Sequence, residues 1–243
     1  MIFLFTDFTR DGPYVGQMQA VLAAEAPGIP VIDLMQDAPA HAPKPAAYLL
    51  AALATAFPEN AVCVGVVDPG VGTERPPVVV EADGRRFVGP GNGLFELVAR
   101  RAATTRTQRI QWRPDTLSAS FHGRDLFAPV AAMLAAGSAP DDLFAPDPME
   151  GLPGADWPDD LPEILYADGF GNLMTGLRAA SIAESTPLRA GGKTIPRARI
   201  FGEATPDTPF WYANSCGLIE IAVPSGSAAA ALGLVVGDTI ELG

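Results

Sequence analysis

Cysteine is nearly missing from this chain. Cys63 and Cys216 are the only two in 243 residues, and no C-x-x-C pair occurs. A disulfide framework and a cysteine-based zinc site are thereby excluded, and two unpaired thiols fit a reducing, cytoplasmic setting with Cys63 in the core. Histidine is as scarce, with His41 and His122 alone. There is no H-E-x-x-H and no EF-hand loop, and Gly70-Val71-Gly72-Thr73 lacks the lysine of a P-loop. Asp7, Asp11, Asp68, Asp125 and Asp168 offer oxygen ligands of the kind magnesium takes. Their spacing matches no metal motif, so no metal site is expected. Positive charge is also short, with 16 Lys and Arg against 28 Asp and Glu and a net charge of −12. Such a surface repels a polyanion, which argues against a nucleic-acid partner. Long apolar runs are absent too, and the apolar start Met1 to Phe5 meets Asp7 without a basic flank. Neither a membrane span nor a signal peptide is expected, hence no membrane partner.

What is present is an alternation of short apolar runs with helical periodicity. Ile2 to Phe5, Val31 to Leu34 and Ala61 to Val67 read as strands. Tyr14, Met18, Val21 and Leu22 recur at helical spacing until Pro27-Gly28, and Pro45 to Phe57 reads as a second helix. This order implies an α/β domain whose mostly parallel sheet is covered by helices, because parallel neighbours need crossover connections. Asp83-Gly84 between Val78-Val79-Val80 and Phe87-Val88 is a hairpin signal that makes the sheet mixed. Gly91-Asn92-Gly93 precedes a helical run through Leu94, Leu97 and Val98. Leu126 to Ala136 reads as a helix capped by Asp125 and stopped by Gly137.

A stretch rich in proline and acidic residues follows and sets the expected boundary. The domains are placed at 1–145 (α/β), 146–162 (linker) and 163–243. The last part carries the short apolar segments Ile164-Leu165-Tyr166, Phe210-Trp211-Tyr212 and Leu218 to Val223, with one helix-like run at Ala228 to Leu232. That pattern predicts a small all-β, barrel-like domain.

Polar residues punctuate the ends of these runs. Asp68 closes the third strand before Pro69-Gly70, and reads either as a turn former or as a carboxylate in a cleft at the sheet edge where catalytic groups collect. Arg75, seven residues on, is a surface charge unless it points back at Asp68 and keeps it ionised. His122 stands between Phe121 and Gly123 on a loop leading into a helix, and taken alone reads as a structural ring. If these three meet, they can hold and polarise a water molecule. Asp7 ends the first strand, where a carboxylate either accepts ribose hydroxyls or serves as N-cap or turn former for the following helix. Asp168-Gly169-Phe170-Gly171-Asn172 is a tight-turn sequence on its own terms.

In order, T-D-F, V-V-D-P-G-V-G-T-x-R, P-x-N-G-L, S-x-S-F-H-G-R-D-x-F-A-P-V-A-A, D-x-F-G-N and N-S-x-G-L-x-E-I-A-V resemble the S-adenosyl-L-methionine (SAM) hydroxide adenosyltransferase family, relatives of the fluorinase and chlorinase. The resemblance spans nearly the whole chain. It implies hydrolysis of SAM to adenosine and L-methionine with no cofactor, in a homotrimer whose sites lie between the first domain of one subunit and the second of its neighbour. It assigns the water-handling triad to Asp68, Arg75 and His122, and the ribose diol to Asp7. Asp168 and Ser215 would take the amino and carboxylate ends of the methionine part. Asn172 and the backbone near Ala228 would read adenine, and Phe121 and Phe170 would form apolar walls. Thr9, His41, Gly91, Gly176 and Cys216 depart from the family pattern, Thr9 standing where it usually has Gly. Rival readings are a halide-dependent adenosyltransferase on the same scaffold, a non-catalytic SAM or adenosine sensor and, third, a carboxylate-metal hydrolase.

Overall fold

The computed structural model describes residues 1–147, 149 and 151–243; Pro148 and Glu150, which fall within the expected linker, lie outside the described residues. The chain forms two compact units, Met1–Trp157 and Pro158–Gly243.

In the first unit, β1 (Ile2–Thr6), β2 (Val31–Met35) and β3 (Val62–Val66) are joined through helices α1 (Tyr14–Glu25) and α2 (Pro43–Leu53), the latter extended by a 3-10 turn at Ala54–Ala56. The hairpin β4 (Pro77–Ala82) and β5 (Arg85–Pro90) follows, then α3 (Glu96–Arg101) and β6 (Thr105–Arg109). The sheet order is β2-β1-β3-β5-β4-β6. Pairings β1 with β2, β1 with β3 and β3 with β5 are parallel, and β4 is antiparallel to both neighbours. The expected mixed, mostly parallel sheet is therefore present. β6 was not anticipated, since Thr-Arg-Thr-Gln-Arg has no apolar run; it ends the strand order and pairs with β4.

Side-chain alternation sorts the buried strands between two helix layers. Ile2, Leu4, Val62, Val64 and Val66 pack with Met18 and Leu22 of α1 and with the final helix of this unit, α4 (Ala128–Ala136). On the other face Phe3 stacks on Phe57 at 4.2 Å between ring centroids, and α2 packs on α3. Gly65 and Gly89 are small because Phe95 lies against them. A Cβ on either would come within 2.8 Å of that ring. Cys63 is buried on β3, and burial pushes its thiol well above the ordinary range.

Asp125 does not cap a helix: Gly123–Phe127 forms a π-turn, and no side chain caps α4. Its carboxylate is taken instead by Arg124 and by the backbone N–H of Ser118. Gly137 does stop α4, with φ 69° and its N–H on the carbonyls of Leu134 and Met133. Beyond it, Gly154, Ala155 and Trp157 are tied to the first unit through their carbonyls by the Arg100 guanidinium.

The second unit holds a four-stranded antiparallel sheet and a three-stranded one. The first has the order β11 (Phe210–Ala213), β12 (Leu218–Ala222), β8 (Leu173–Arg178), β7 (Leu161–Ala167). The second runs β10 (Lys193–Ile195), β9 (Leu188–Ala190), β13 (Glu241–Leu242). Isolated bridges join their edges, Glu163 to Thr239 on one side and Arg197 to Trp211 on the other. The two sheets thus close into a barrel-like ring around Ile164, Leu173, Leu177, Trp211, Ile219 and Ile221. The one α-helix among the described residues of this unit, α5 (Ala228–Leu232), is capped by Ser227, whose hydroxyl accepts from the Ala230 N–H.

Candidate functional site

The chain runs from β1 out to β2 and returns to place β3 on the other side of β1, so the strand order reverses between β1 and β3. Ligands of open α/β sheets bind outside the carboxyl ends of strands at such a reversal. Asp7 follows β1 and Asp68 lies just beyond β3, and the Asp7 N–H bonds the Val66 carbonyl at 3.3 Å. Both line a cavity of about 240 Å³ together with Phe8, Tyr14, His41 and Val66, and with Val71 and the segment Ser120 to Gly123.

The loop after β3 is shaped by its own hydrogen bonds. Thr73 Oγ1 donates to the Gly70 carbonyl at 2.6 Å, and the Val71 N–H bonds the Asp68 carbonyl. Asn92 fixes the strand end by donating from Nδ2 to the Val67 carbonyl at 2.9 Å. The chain at Gly72 passes so close to Ala119 that a Cβ would stand 2.5 Å from its carbonyl oxygen, and φ there is 78°. Glycine is required on both counts. This approach brings the 68–75 loop against the loop that carries Phe121 and His122.

Arg75 turns back as a fork onto Asp68, with Nε donating to Oδ1 at 2.9 Å and Nη2 to Oδ2. Nη2 also lies 3.0 Å from Nδ1 of His122. The side chains of Asp68 and Arg75 are only 4% and 10% exposed, so the pair is little screened by water. The guanidinium further covers the Phe127 ring at 5.2 Å. Because a guanidinium has donors only, Nδ1 of His122 must be the acceptor, which leaves the ring neutral with its proton on Nε2. Burial, and then the positive charge of Arg75, hold the imidazole pKa below its usual value.

Asp7 accepts from the His41 N–H at 2.9 Å through Oδ2. His41 and Thr9 both have left-handed backbones, with φ of 56° and 61°. Glycine adopts that conformation without strain, so Thr9 and His41 carry a backbone cost that glycine would not. α1 starts after Pro13, so Asp7 is not its cap.

Asp168, Phe170, Asn172 and Ser215 lie on the second unit, where they line a separate cavity of about 820 Å³ with Tyr212, Asn214 and Glu220 among others. The Asp168 carboxylate accepts from the N–H of Phe170 and of Asn172 through Oδ1, and from Asn172 Nδ2 through Oδ2. Phe170 is 81% exposed. Ala228 is buried at the start of α5, and the neighbouring Ala229 N–H bonds the Gly171 carbonyl, so this backbone sits against the Asp168 turn. Glu220 is 3% exposed, and its carboxylate accepts from the Tyr212 hydroxyl and from Asn214 Nδ2. Asn214 Oδ1 in turn accepts the N–H groups of Cys216 and Leu218, which fixes the turn carrying Ser215. Sequence reasoning passed over Glu220 and Tyr212 because they fall within apolar strands. It also passed over Tyr14 at the first cavity, counting it only as a member of a helical stripe. Among the described residues, no group of three or more His, Cys, Asp or Glu side chains is placed to hold a metal ion. No helix among them is long and apolar enough to cross a membrane.

Comparison with known proteins supports the resemblance. Residues 2–144 match the SAM hydroxide adenosyltransferase N-terminal domain and residues 162–241 its C-terminal domain. The chain belongs to the SAM hydroxide adenosyltransferase family. It is 41% identical to a Thermus thermophilus protein named (R)-S-adenosyl-L-methionine hydrolase, over 99% of this chain and 98% of that one. A protein of the same name from Salinispora arenicola is 34% identical, covering 98% and 95%. Among solved structures, an uncharacterized conserved protein of Thermotoga maritima superposes with a TM-score of 0.86 at 29% identity, over 100% of this chain and 99% of that one. A conserved hypothetical protein of Thermus thermophilus gives 0.77 at 38%, covering 99% and 98%.

Proposed function

We propose that this member of the family hydrolyses SAM to adenosine and L-methionine by in-line attack of water on the 5′ carbon. The observation that carries the reading is the chain of contacts from Asp68 through the Arg75 fork to Nδ1 of His122, beside a cavity that also holds Asp7 at the strand-order reversal. Two relatives named as SAM hydrolases, aligned over almost the full chain, support the same substrate.

In this mechanism the sulfonium leaves as a neutral thioether and needs no proton donor, so the protein's work lies with the nucleophile. The C–O bond forms as the C–S bond breaks and its electron pair goes to sulfur. The water proton becomes strongly acidic as its oxygen bonds to carbon, so a weak base suffices. Asp68, whose oxygens retain lone pairs beyond those given to Arg75, receives it. His122 donates from Nε2 to the water oxygen and aims it along the C–S axis. Arg75 stabilises hydroxide character and fixes both partners. Asp7 holds the ribose diol, and Phe121 walls the reacting centre.

The remaining substrate contacts belong to a homotrimer in which a neighbouring subunit supplies Asp168 and Ser215 for the methionine part. The same subunit brings Asn172 and the Ala228 backbone for adenine, with Phe170 as a wall. The size of the first cavity favours this, since about 240 Å³ falls short of the ~300–1,000 Å³ usual for small-molecule sites.

Purified protein incubated with SAM in oxygen-18 water should yield adenosine labelled at the 5′ oxygen, read by mass spectrometry. Unlabelled adenosine would overturn the mechanism, and 5′-chloro-5′-deoxyadenosine formed on adding chloride would favour the halide-dependent alternative. Asp68→Ala, Arg75→Ala and His122→Ala should each lower kcat by about 100-fold or more, with smaller changes in KM.

A further inference from the structure

Three aromatic rings stand around the first cavity, and the triad chemistry uses Phe121 only as a wall and the other two not at all. Phe8 immediately follows Asp7, Tyr14 opens α1, and Phe121 immediately precedes His122. The rings touch one another in all three pairings. Centroids are 5.5 Å apart for Phe8 and Tyr14, 5.7 Å for Phe8 and Phe121, and 5.4 Å for Tyr14 and Phe121. The last two pairs are nearly perpendicular, at 79° and 89°. Edge-to-face packing of this kind holds each ring in a defined orientation. Tyr14 nevertheless stays 47% exposed. Gly12 leaves room for it, since a Cβ there would stand 3.1 Å from the tyrosine ring.

The charges around these rings favour a cation. The acidic groups lining the cavity are Asp7 and Asp68, of which Asp68 is paired with Arg75 and Asp7 with no arginine or lysine that the structure shows, and no Lys or Arg side chain lines the cavity among the described residues. Phe121 already takes one cation, the Arg124 guanidinium at 5.1 Å, whose charge is balanced by its ion pair with Asp125.

We propose that Phe8, Tyr14 and Phe121 form an aromatic cage that recognises the positive charge of the sulfonium, with Tyr14 as its specificity-determining ring. This rests on the SAM hydrolase reading above. A sulfonium has no N–H to donate, so it cannot be read by hydrogen bonds, and the negative faces of aromatic rings are suited to it. The charge is present in bound SAM and fades as the C–S bond breaks. The cage therefore contributes to substrate affinity and discrimination rather than to the rate of the bond-breaking step. Once methionine has formed, the cage faces a neutral thioether and holds it less tightly.

Two unreactive ligands separate charge from shape. Sinefungin carries a protonated amine where SAM carries its sulfonium, and S-adenosyl-L-homocysteine is the neutral thioether. Calorimetry should show the unaltered protein binding sinefungin more tightly than the thioether. Tyr14→Leu should weaken sinefungin by about 3- to 10-fold and the thioether by less than twofold. Tyr14→Phe should keep the preference, because the ring is retained. Equal losses for both ligands in Tyr14→Leu would show an apolar wall and overturn the cage, leaving the hydrolase reading to stand on the oxygen-18 result. Loss of the preference in Tyr14→Phe would overturn it too, by moving recognition to the hydroxyl. Failure of both ligands to bind the unaltered protein would count against both inferences.

Discussion

Arg75 engages Asp68 twice and His122 once, and that arrangement sets the protonation state of the site. Protonating Nδ1 of His122 would turn an acceptor into a second donor facing a cation. Burial, Arg75 and Arg113 lower its pKa, and Asp68 and Asp125 only partly oppose them. The sign follows directly. An unfolded imidazole takes up its proton near pH 6.5 and the folded one at a lower pH, so between those values the unfolded state binds more protons. The stability contributed by neutral His122 is complete above about pH 6.5 and declines as pH falls toward the folded value. If neutral His122 is needed for turnover, kcat/KM should have an acid limb below about 6.5. The pH–rate profile of His122→Gln should lack that limb, and a limb at or above the ordinary value would contradict the assignment. Spacing along the chain left each of Asp68, Arg75 and His122 with an alternative role as turn former, surface charge or structural ring. Family resemblance joined them as a set, and the tautomer became legible only once the guanidinium was seen to touch Nδ1.

The elements that were legible are those with an apolar face. β1, β2, β3 and the β4–β5 hairpin follow from short apolar runs, and α1 and α2 from periodicity. β6 was not legible, because an edge strand with Thr and Arg side chains has no burial pattern to read. The cap assigned to Asp125 failed for a different reason. A carboxylate beside an arginine is drawn into a fork with it, and here that fork supports a π-turn instead of a helix start. Gly72 shows how one element depends on another. Gly72→Ala forces a side chain into a positive φ and against the Ala119 carbonyl, which should cost about 1–3 kcal/mol and separate the loops that carry Arg75 and His122. Thermal unfolding should register a lower Tm, and turnover should fall at least tenfold. Gly16 in α1 is the contrasting position, because no atom lies within 4 Å of a Cβ placed there. Gly16→Ala should raise stability by about 0.5–1 kcal/mol, measured in the same experiment.

For the whole molecule, the proposed trimer predicts that sedimentation equilibrium will give a mass of three chains at micromolar concentration. A strictly monomeric protein that still turned over SAM would remove the neighbouring subunit from the mechanism. With a net charge of −12, the chain should also stay soluble at neutral pH. The barrel-like unit was expected from its short apolar segments, but its manner of closure was not. No segment announces a seam made of isolated bridges, because such a bridge needs only one residue from each side. The closure at Glu163 and Thr239, and at Arg197 and Trp211, has a thermal consequence. Two or three backbone hydrogen bonds surround each seam, a shorter run than the four-pair β11–β12 ladder of the larger sheet, so warming should part the ring along those two lines before that sheet yields. It would open as two leaves, with the ladders of the four-stranded one still zipped.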